Sequence, residues 1–149
     1  MTNSEIRIAF FPGSFNPFTI GHASIVERAL AIFDHVIVGV GVSADKPATD
    51  IGERLAAIRR CYDGDTRVQV VSYTGLTAIV ARQLGATALV RGVRSVKDFE
   101  YERDMADINR RLNGIETVLL YSLPELSAIS SSVVRELQAH GVDPAQFLP

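Results

Sequence analysis

Five apolar runs rich in β-branched residues alternate along the chain with segments whose apolar residues recur at helical spacing. The runs lie at residues 6–11, 35–42, 68–71, 88–91 and 117–121, short enough for strands. Between and after them come helical segments at about 23–32, 51–62, 76–84, 97–112 and 131–140. The first carries Ile25, Val26, Ala29 and Leu30 on one face, and the second carries Leu55, Ile58 and Tyr62. Gly85, Gly114 and Gly141 stop three of them, Gly85 as a left-handed cap. Strand–helix alternation of this kind implies βαβ units: an α/β, doubly wound, five-stranded parallel sheet with helices on both faces. The run HVIVGVGV at 35–42 has few polar residues, as expected of a strand covered on both sides. Ligands of such sheets bind beyond the carboxyl ends of the strands, where the winding reverses. The loops at 12–22, 43–50, 72–77, 91–98 and 122–132 therefore carry the functional question.

Composition narrows the answer. With 149 residues the chain suits one domain, residues 1–149, with a single sizeable core. Fifteen Lys and Arg against seventeen Asp and Glu give a net charge of −2, which argues against a broad nucleic-acid surface. A lone cysteine, Cys61, excludes an intrachain disulfide and cannot by itself build a thiolate metal site. The start of the chain lacks the basic and apolar regions of a secretion signal. No apolar run approaches the roughly 20 residues of a membrane-spanning helix. A cytosolic location, without nucleic-acid or membrane partners, is the expectation.

The first loop, PGSFNPFTIGH at 12–22, places Gly13 directly after a strand, where a missing Cβ allows close backbone approach to a ligand. Gly21 and His22 stand where the next helix begins, with backbone N–H groups and the positive helix end facing the loop. A positive helix end disfavours imidazolium, so His22 is expected to be neutral and to donate a hydrogen bond to a phosphate oxygen. A structural histidine in a capping loop is the plainer alternative for an isolated Gly-His pair. In the second loop Lys46 is the only cation, suited to meeting a phosphate as a point charge or, more simply, to sitting in solvent. The third region sets Arg91 at a strand end, Gly92 beside it and Arg94 three residues on, a fork-like grip for oxyanions. Asp98 and Glu102, four apart, share a helical face and could accept ribose hydroxyls or simply be solvated. In the fourth region three serines, Ser130, Ser131 and Ser132, open a helix. They offer hydroxyls and unpaired amides to an anion beyond what an N-cap needs.

The string GSFNPFTIGH, with Thr19-Ile20-Gly21-His22 as its (H/T)xGH motif, resembles the first signature of the nucleotidyltransferase superfamily. RGVRSVKDFEYE at 91–102 and ISSSVVRE at 129–136 narrow the resemblance to the bacterial phosphopantetheine adenylyltransferase family, from Ile8 to Pro149. The resemblance implies a Rossmann-like fold that moves the adenylyl group of ATP to 4′-phosphopantetheine, with Mg²⁺ arriving on ATP and no protein metal site. Dephospho-coenzyme A and pyrophosphate would be the products, and a homohexamer the assembly. On this resemblance His22, Lys46 and Arg91 are the catalytic residues. The acceptor would be held by Ser14, Lys46, Thr77 and Arg91, with Met105, Ile108 and Asn109 along its pantetheine arm. ATP would be held by Ser14, Phe15 and His22 from the first loop and by Gly92, Val93, Arg94 and Glu102 from the third. Leu126, Ser127, Ala128, Ile129, Ser130, Ser131 and Ser132 would complete the nucleotide site.

The chain departs from the family pattern at Asn16, where aspartate is usual, and at Pro47, Ala48 and Thr49, where an aromatic often follows the lysine. Leu126 also replaces an aromatic, and the chain stops at Pro149, where relatives often continue into a short helix. Two alternatives stay open: a sibling enzyme using nicotinate mononucleotide or glycerol 3-phosphate, and a non-catalytic nucleotide-binding regulator.

Overall fold

The computed structural model describes residues 5–43 and 50–149. Strand β1 (Ile8–Gly13) leads to α1 (Ile20–Ala29), β2 (His35–Gly41) to α2 (Ile51–Cys61) and β3 (Val68–Tyr73) to α3 (Thr77–Gln83). Then β4 (Ala88–Val93) leads to α4 (Val96–Asn113), and β5 (Glu116–Tyr121) leads through a 3₁₀ turn (Pro124–Leu126) to α5 (Ser131–Ala139). A second 3₁₀ turn (Ala145–Phe147) lies near the C-terminus. The strands form one parallel sheet in the order β3-β2-β1-β4-β5. The expected doubly wound architecture is therefore the observed one. Among the described residues no helix is long and apolar enough to cross a membrane.

The period of two along each strand divides the core into two layers. Ala9, Phe11, Val36, Val38, Val40, Ala88 and Val90 pack with Ile25, Val26 and Ala29 of α1 and Ile58 of α2. Phe10, Ile37 and Leu89, pointing the other way, meet Ala78 and Ala81 of α3. Small residues at 78 and 81 let α3 lie close to the sheet. Gly39 serves the same end in β2, since a Cβ there would lie 2.3 Å from the Phe10 ring.

Element ends differ from expectation in ways that matter for function. Strand β1 was expected to stop at Phe11 but runs to Gly13, because Pro12 and Gly13 keep their register with Gly39 and Val40 of β2. On its other side β1 pairs with β4 only at Ala9–Ala88 and Phe10–Leu89. A proline can sit in this central strand because its missing donor falls where that ladder has already ended. The two strands part at their carboxyl ends, and this is where the winding reverses. Helix α1 starts at Ile20 rather than near Ala23, because Thr19 and His22 build a capping box: the Thr19 hydroxyl accepts from the His22 amide, and the His22 ring accepts from the Thr19 amide.

Candidate active site

The end of β1 and the loop after it are tied down through their carbonyl oxygens. Arg91 of β4 donates to Pro12 O at 2.5 Å, and Arg54 of α2 donates to Ser14 O at 3.0 Å. Arg135 of α5 donates to Asn16 O at 2.6 Å, and the Ser131 hydroxyl donates to Pro17 O at 2.7 Å. Three elements far apart in sequence thus fix one loop. Within it Phe15 has φ +47°, a left-handed conformation rare for a bulky residue. Its buried ring lies over Gly13, whose missing Cβ would come 2.8 Å from Phe15 Cζ. Gly13 is therefore demanded by Phe15, not only by the ligand approach that its position suggests.

His22 sits at the third position of α1, enclosed by phenyl rings. Phe18 stacks on it with centroids 5.5 Å apart, and Phe15 meets it edge-on at 4.9 Å. Burial, then the charges of Arg91 and Arg94, lower its pKa to about 4. The neutrality expected from the helix end is thus present, but desolvation is its leading cause. The Thr19 amide donates to Nδ1 at 3.0 Å, so the neutral ring carries its proton on Nε2, with no acceptor among the described residues.

Arg91 and Glu102 form a bidentate pair. Arg91 Nε lies 2.9 Å from Glu102 Oε2, and Nη2 lies 2.7 Å from Oε1. Glu102, read from sequence as a carboxylate for ribose or for solvent, is buried and engaged by Arg91. Burial works against the Arg91 charge, but the Glu102 hydrogen bonds and carboxylate outweigh it and hold the guanidinium above its ordinary pKa. Asp98 is likewise engaged, 3.6 Å from Arg94 Nε and 3.2 Å from the Arg94 amide.

Two cavities flank the Arg91–Glu102 pair. One, about 350 Å³, is lined by Gly13, Ser14, Phe15, His22, Arg91, Gly92, Arg94, Glu102, Leu126, Ile129 and the three serines. The other, about 300 Å³, is lined by Thr77, Met105, Asn109, Tyr73, Leu76 and Tyr101. Pro12, Gly13, Arg91 and Glu102 border both. Most of the residues singled out from sequence therefore meet at the switch point, in two compartments with a common wall.

Some do not. Val93 is buried in β4, and Ser127 turns its hydroxyl back to Pro124 O; neither these nor Ala128 lines the first cavity. Ile108 does not line the second cavity and is half exposed on α4. Lys46, with Pro47, Ala48 and Thr49, lies outside the described residues. The three serines each have a local task. Ser130 caps α5 through the Val133 amide, Ser131 holds Pro17, and Ser132 accepts from Arg135 at 3.2 Å. The first-turn amides of α5 remain, as at any helix start, without intrahelical acceptors.

Sequence reading missed Arg135, Arg54 and Tyr73. Arg135 lies four residues beyond Ser131, one helical turn on, so spacing alone could have put both on the loop-facing side. Tyr73 ends β3, and its hydroxyl lies 2.9 Å from that of Thr77. Arg54 had no local signal, since its partner Ser14 O is 40 residues away.

Comparison with known proteins agrees with this geometry. Residues 10–137 match the cytidylyltransferase-like family model. The chain is 54% identical over 144 residues to the phosphopantetheine adenylyltransferase of Porphyromonas gingivalis, covering 96% of this chain and 94% of that protein. It is 50% identical over 145 residues to that of Bacteroides thetaiotaomicron, covering 97% and 96%. Among solved structures, a bifunctional NMN adenylyltransferase/ADP ribose pyrophosphatase from Francisella tularensis superposes with a TM-score of 0.68 at 15% identity. That match covers 97% of this chain and 44% of the other, and it supports the fold alone. By both the family model and identity over nearly its full length, the chain belongs to the phosphopantetheine adenylyltransferases of the cytidylyltransferase-like family.

Proposed function

We propose that the chain transfers the adenylyl group of ATP to 4′-phosphopantetheine, releasing pyrophosphate and dephospho-coenzyme A. The observation that carries this reading is the pair of cavities sharing the Arg91–Glu102 wall, one rich in phosphate-binding groups and one partly apolar. Both open at the same end of one sheet, so one nucleotidyltransferase domain, residues 1–149, carries the whole reaction. ATP takes the first cavity, held by Ser14, the Phe15 amide, Gly92, Arg94, Leu126, Ile129 and the start of α5. The pantetheine arm takes the second, against Thr77, Met105 and Asn109, and Lys46 meets the acceptor phosphate from the second loop.

An oxygen of the acceptor phosphate attacks the α-phosphorus of ATP in line. The new P–O bond forms as the bond to the bridging oxygen breaks, and pyrophosphate leaves with that electron pair. The attacking oxygen is already anionic at neutral pH, so the chain need not supply a strong base. Its task is to hold two anions together and to stabilise charge as it moves. Arg91, at the border of both cavities and fixed by Glu102, aligns the acceptor phosphate. His22, neutral and protonated on Nε2, donates to the phosphate oxygens as charge builds there.

Magnesium carried by the triphosphate would neutralise part of its charge. The carboxylates of the first cavity fit an ion brought by the nucleotide, because Glu102 and Asp98 are already engaged by arginines. A cytoplasmic setting and a homohexameric assembly belong to the same reading.

Pyrophosphate release with ATP, Mg²⁺ and 4′-phosphopantetheine tests it, beside nicotinate mononucleotide, glycerol 3-phosphate and no acceptor, with CTP as alternative donor. Release confined to ATP with 4′-phosphopantetheine is expected. Release with another acceptor would move the chain to a sibling activity, and tight ATP binding without turnover on any acceptor would make it a regulator.

A further inference from the structure

Arg54 touches neither cavity of the reaction and is nevertheless bound to the loop that builds the first one. Its side chain is only 12% exposed, with Nη1 donating to Ser14 O at 3.0 Å and Nη2 to Asp50 Oδ1 at 2.8 Å. A trans peptide points its carbonyl and its N–H in opposite directions. Holding Ser14 O toward α2 therefore turns the Phe15 N–H away from α2, toward the first cavity that Ser14 and Phe15 line. The Phe15 amide has no acceptor among the described residues. The left-handed φ of Phe15 persists only if its surroundings fix it, and Arg54 holds one side of this peptide while the phenyl cluster holds the other.

We propose that Arg54 is a positioning residue that locks the Ser14–Phe15 peptide with its N–H aimed at the nucleotide's phosphates. This rests on ATP occupying the first cavity, as in the reading above. Arg54 differs in this from Arg91 and Arg135, which also clamp loop carbonyls but themselves border the cavity. Asp50, at the N-cap of α2, neutralises the guanidinium and fixes its orientation, so the clamp is preorganised before nucleotide arrives. A backbone donor set in advance stabilises charge that develops later in the reaction, and so acts on turnover more than on ground-state binding.

The test compares Arg54→Met and Arg54→Lys with the unsubstituted protein, with kcat referred to folded protein. Losing the aim of one oxyanion donor is expected to lower kcat about 10- to 100-fold in Arg54→Met, with KM for ATP changing less than about 3-fold. Arg54→Lys, keeping charge and a donor, is expected to fall between. Unchanged kcat per folded molecule in Arg54→Met, or a rise in KM alone, would overturn the proposal. A readout independent of the acceptor is available, because Ser14–Phe15 is the only Ser–Phe pair in the sequence. Carbonyl-¹³C serine with ¹⁵N phenylalanine isolates this one amide. It is expected to shift on adding Mg·ATP and to lose most of that shift in Arg54→Met. A Phe15 amide in the unsubstituted protein that ignores Mg·ATP would sink the inference even if turnover is normal. Absent pyrophosphate release with 4′-phosphopantetheine, alongside a Phe15 amide that still responds in an Arg54-dependent way, would sink only the acceptor assignment.

Discussion

Protonating His22 removes the acceptor that the Thr19 amide uses and places a cation among phenyl rings beside two arginines. The folded protein resists this, holding the pKa near 4 against 6.5 for the free side chain. Between those values the unfolded chain binds a proton that the folded one does not, so stability rises with pH across that window and falls as pH drops through it. The full difference is worth roughly 3 kcal/mol, at 1.36 kcal/mol per pH unit. Urea midpoints from pH 7 down to pH 4 should therefore converge for the unsubstituted protein and His22→Ala, because the variant lacks this term. Parallel curves would mean that His22 titrates alike in both states. Sequence position made the neutral histidine legible, since a helix start is visible in Thr19-Ile20-Gly21-His22. Its main cause was not legible, because Phe11, Phe15 and Phe18 close on the ring only once the loop is folded. Glu102 is similar: helical spacing paired it with Asp98, whereas the fold pairs it with an arginine eleven residues back on a strand.

Elements were legible where periodicity ran long and obscure where a turn was held by distant groups. The five strands and five helices follow from alternation and helical spacing, and Ser130 and Gly114 mark their helix ends as composition suggests. The β1–α1 loop is different, because Arg54, Arg91, Arg135 and Ser131 hold it from positions 40 to 119 residues away. No local pattern can report such ties. Gly13 tests how tightly the loop is packed. A methyl there would meet Phe15 Cζ at 2.8 Å and Cε1 at 2.9 Å, and the ring has no slack because Phe11, Phe18 and His22 surround it. Gly13→Ala is expected to destabilise the fold by about 1–3 kcal/mol through overpacking, measurable as a lower urea midpoint at constant slope. It should also lower kcat, since a displaced Phe15 carries its amide with it. A variant as stable as the parent would mean the ring can slide away.

At the scale of the molecule, the sheet order explains why the two cavities share a common wall. β1 and β4 are neighbours whose crossovers leave in opposite directions, so the cleft opens between Gly13 and Arg91, and the Arg91–Glu102 pair divides it. What a single chain does not satisfy is the outer side of α4. Ile108 and Leu112, four apart on α4 and about half exposed, form an apolar stripe outside the second cavity, which Tyr101 and Met105 line. Ile79 of the adjoining α3 is exposed beside it. Contiguous apolar surface of this kind marks an interface more often than a free surface. The stripe also gives Ile108 a place that the second cavity does not. A second copy of the chain is its natural cover, consistent with the proposed hexamer. Sedimentation equilibrium is expected to give an assembly well above the 16.2 kDa of one chain. Ile108→Glu combined with Leu112→Glu, which buries charge only if the stripe is covered, is expected to shift the protein toward monomer without unfolding it, because both side chains are about half exposed in the single chain. If the double variant sediments as the parent does, assembly uses another face. A parent that is monomeric at all concentrations would leave the stripe to some other partner and remove the hexamer from the reading.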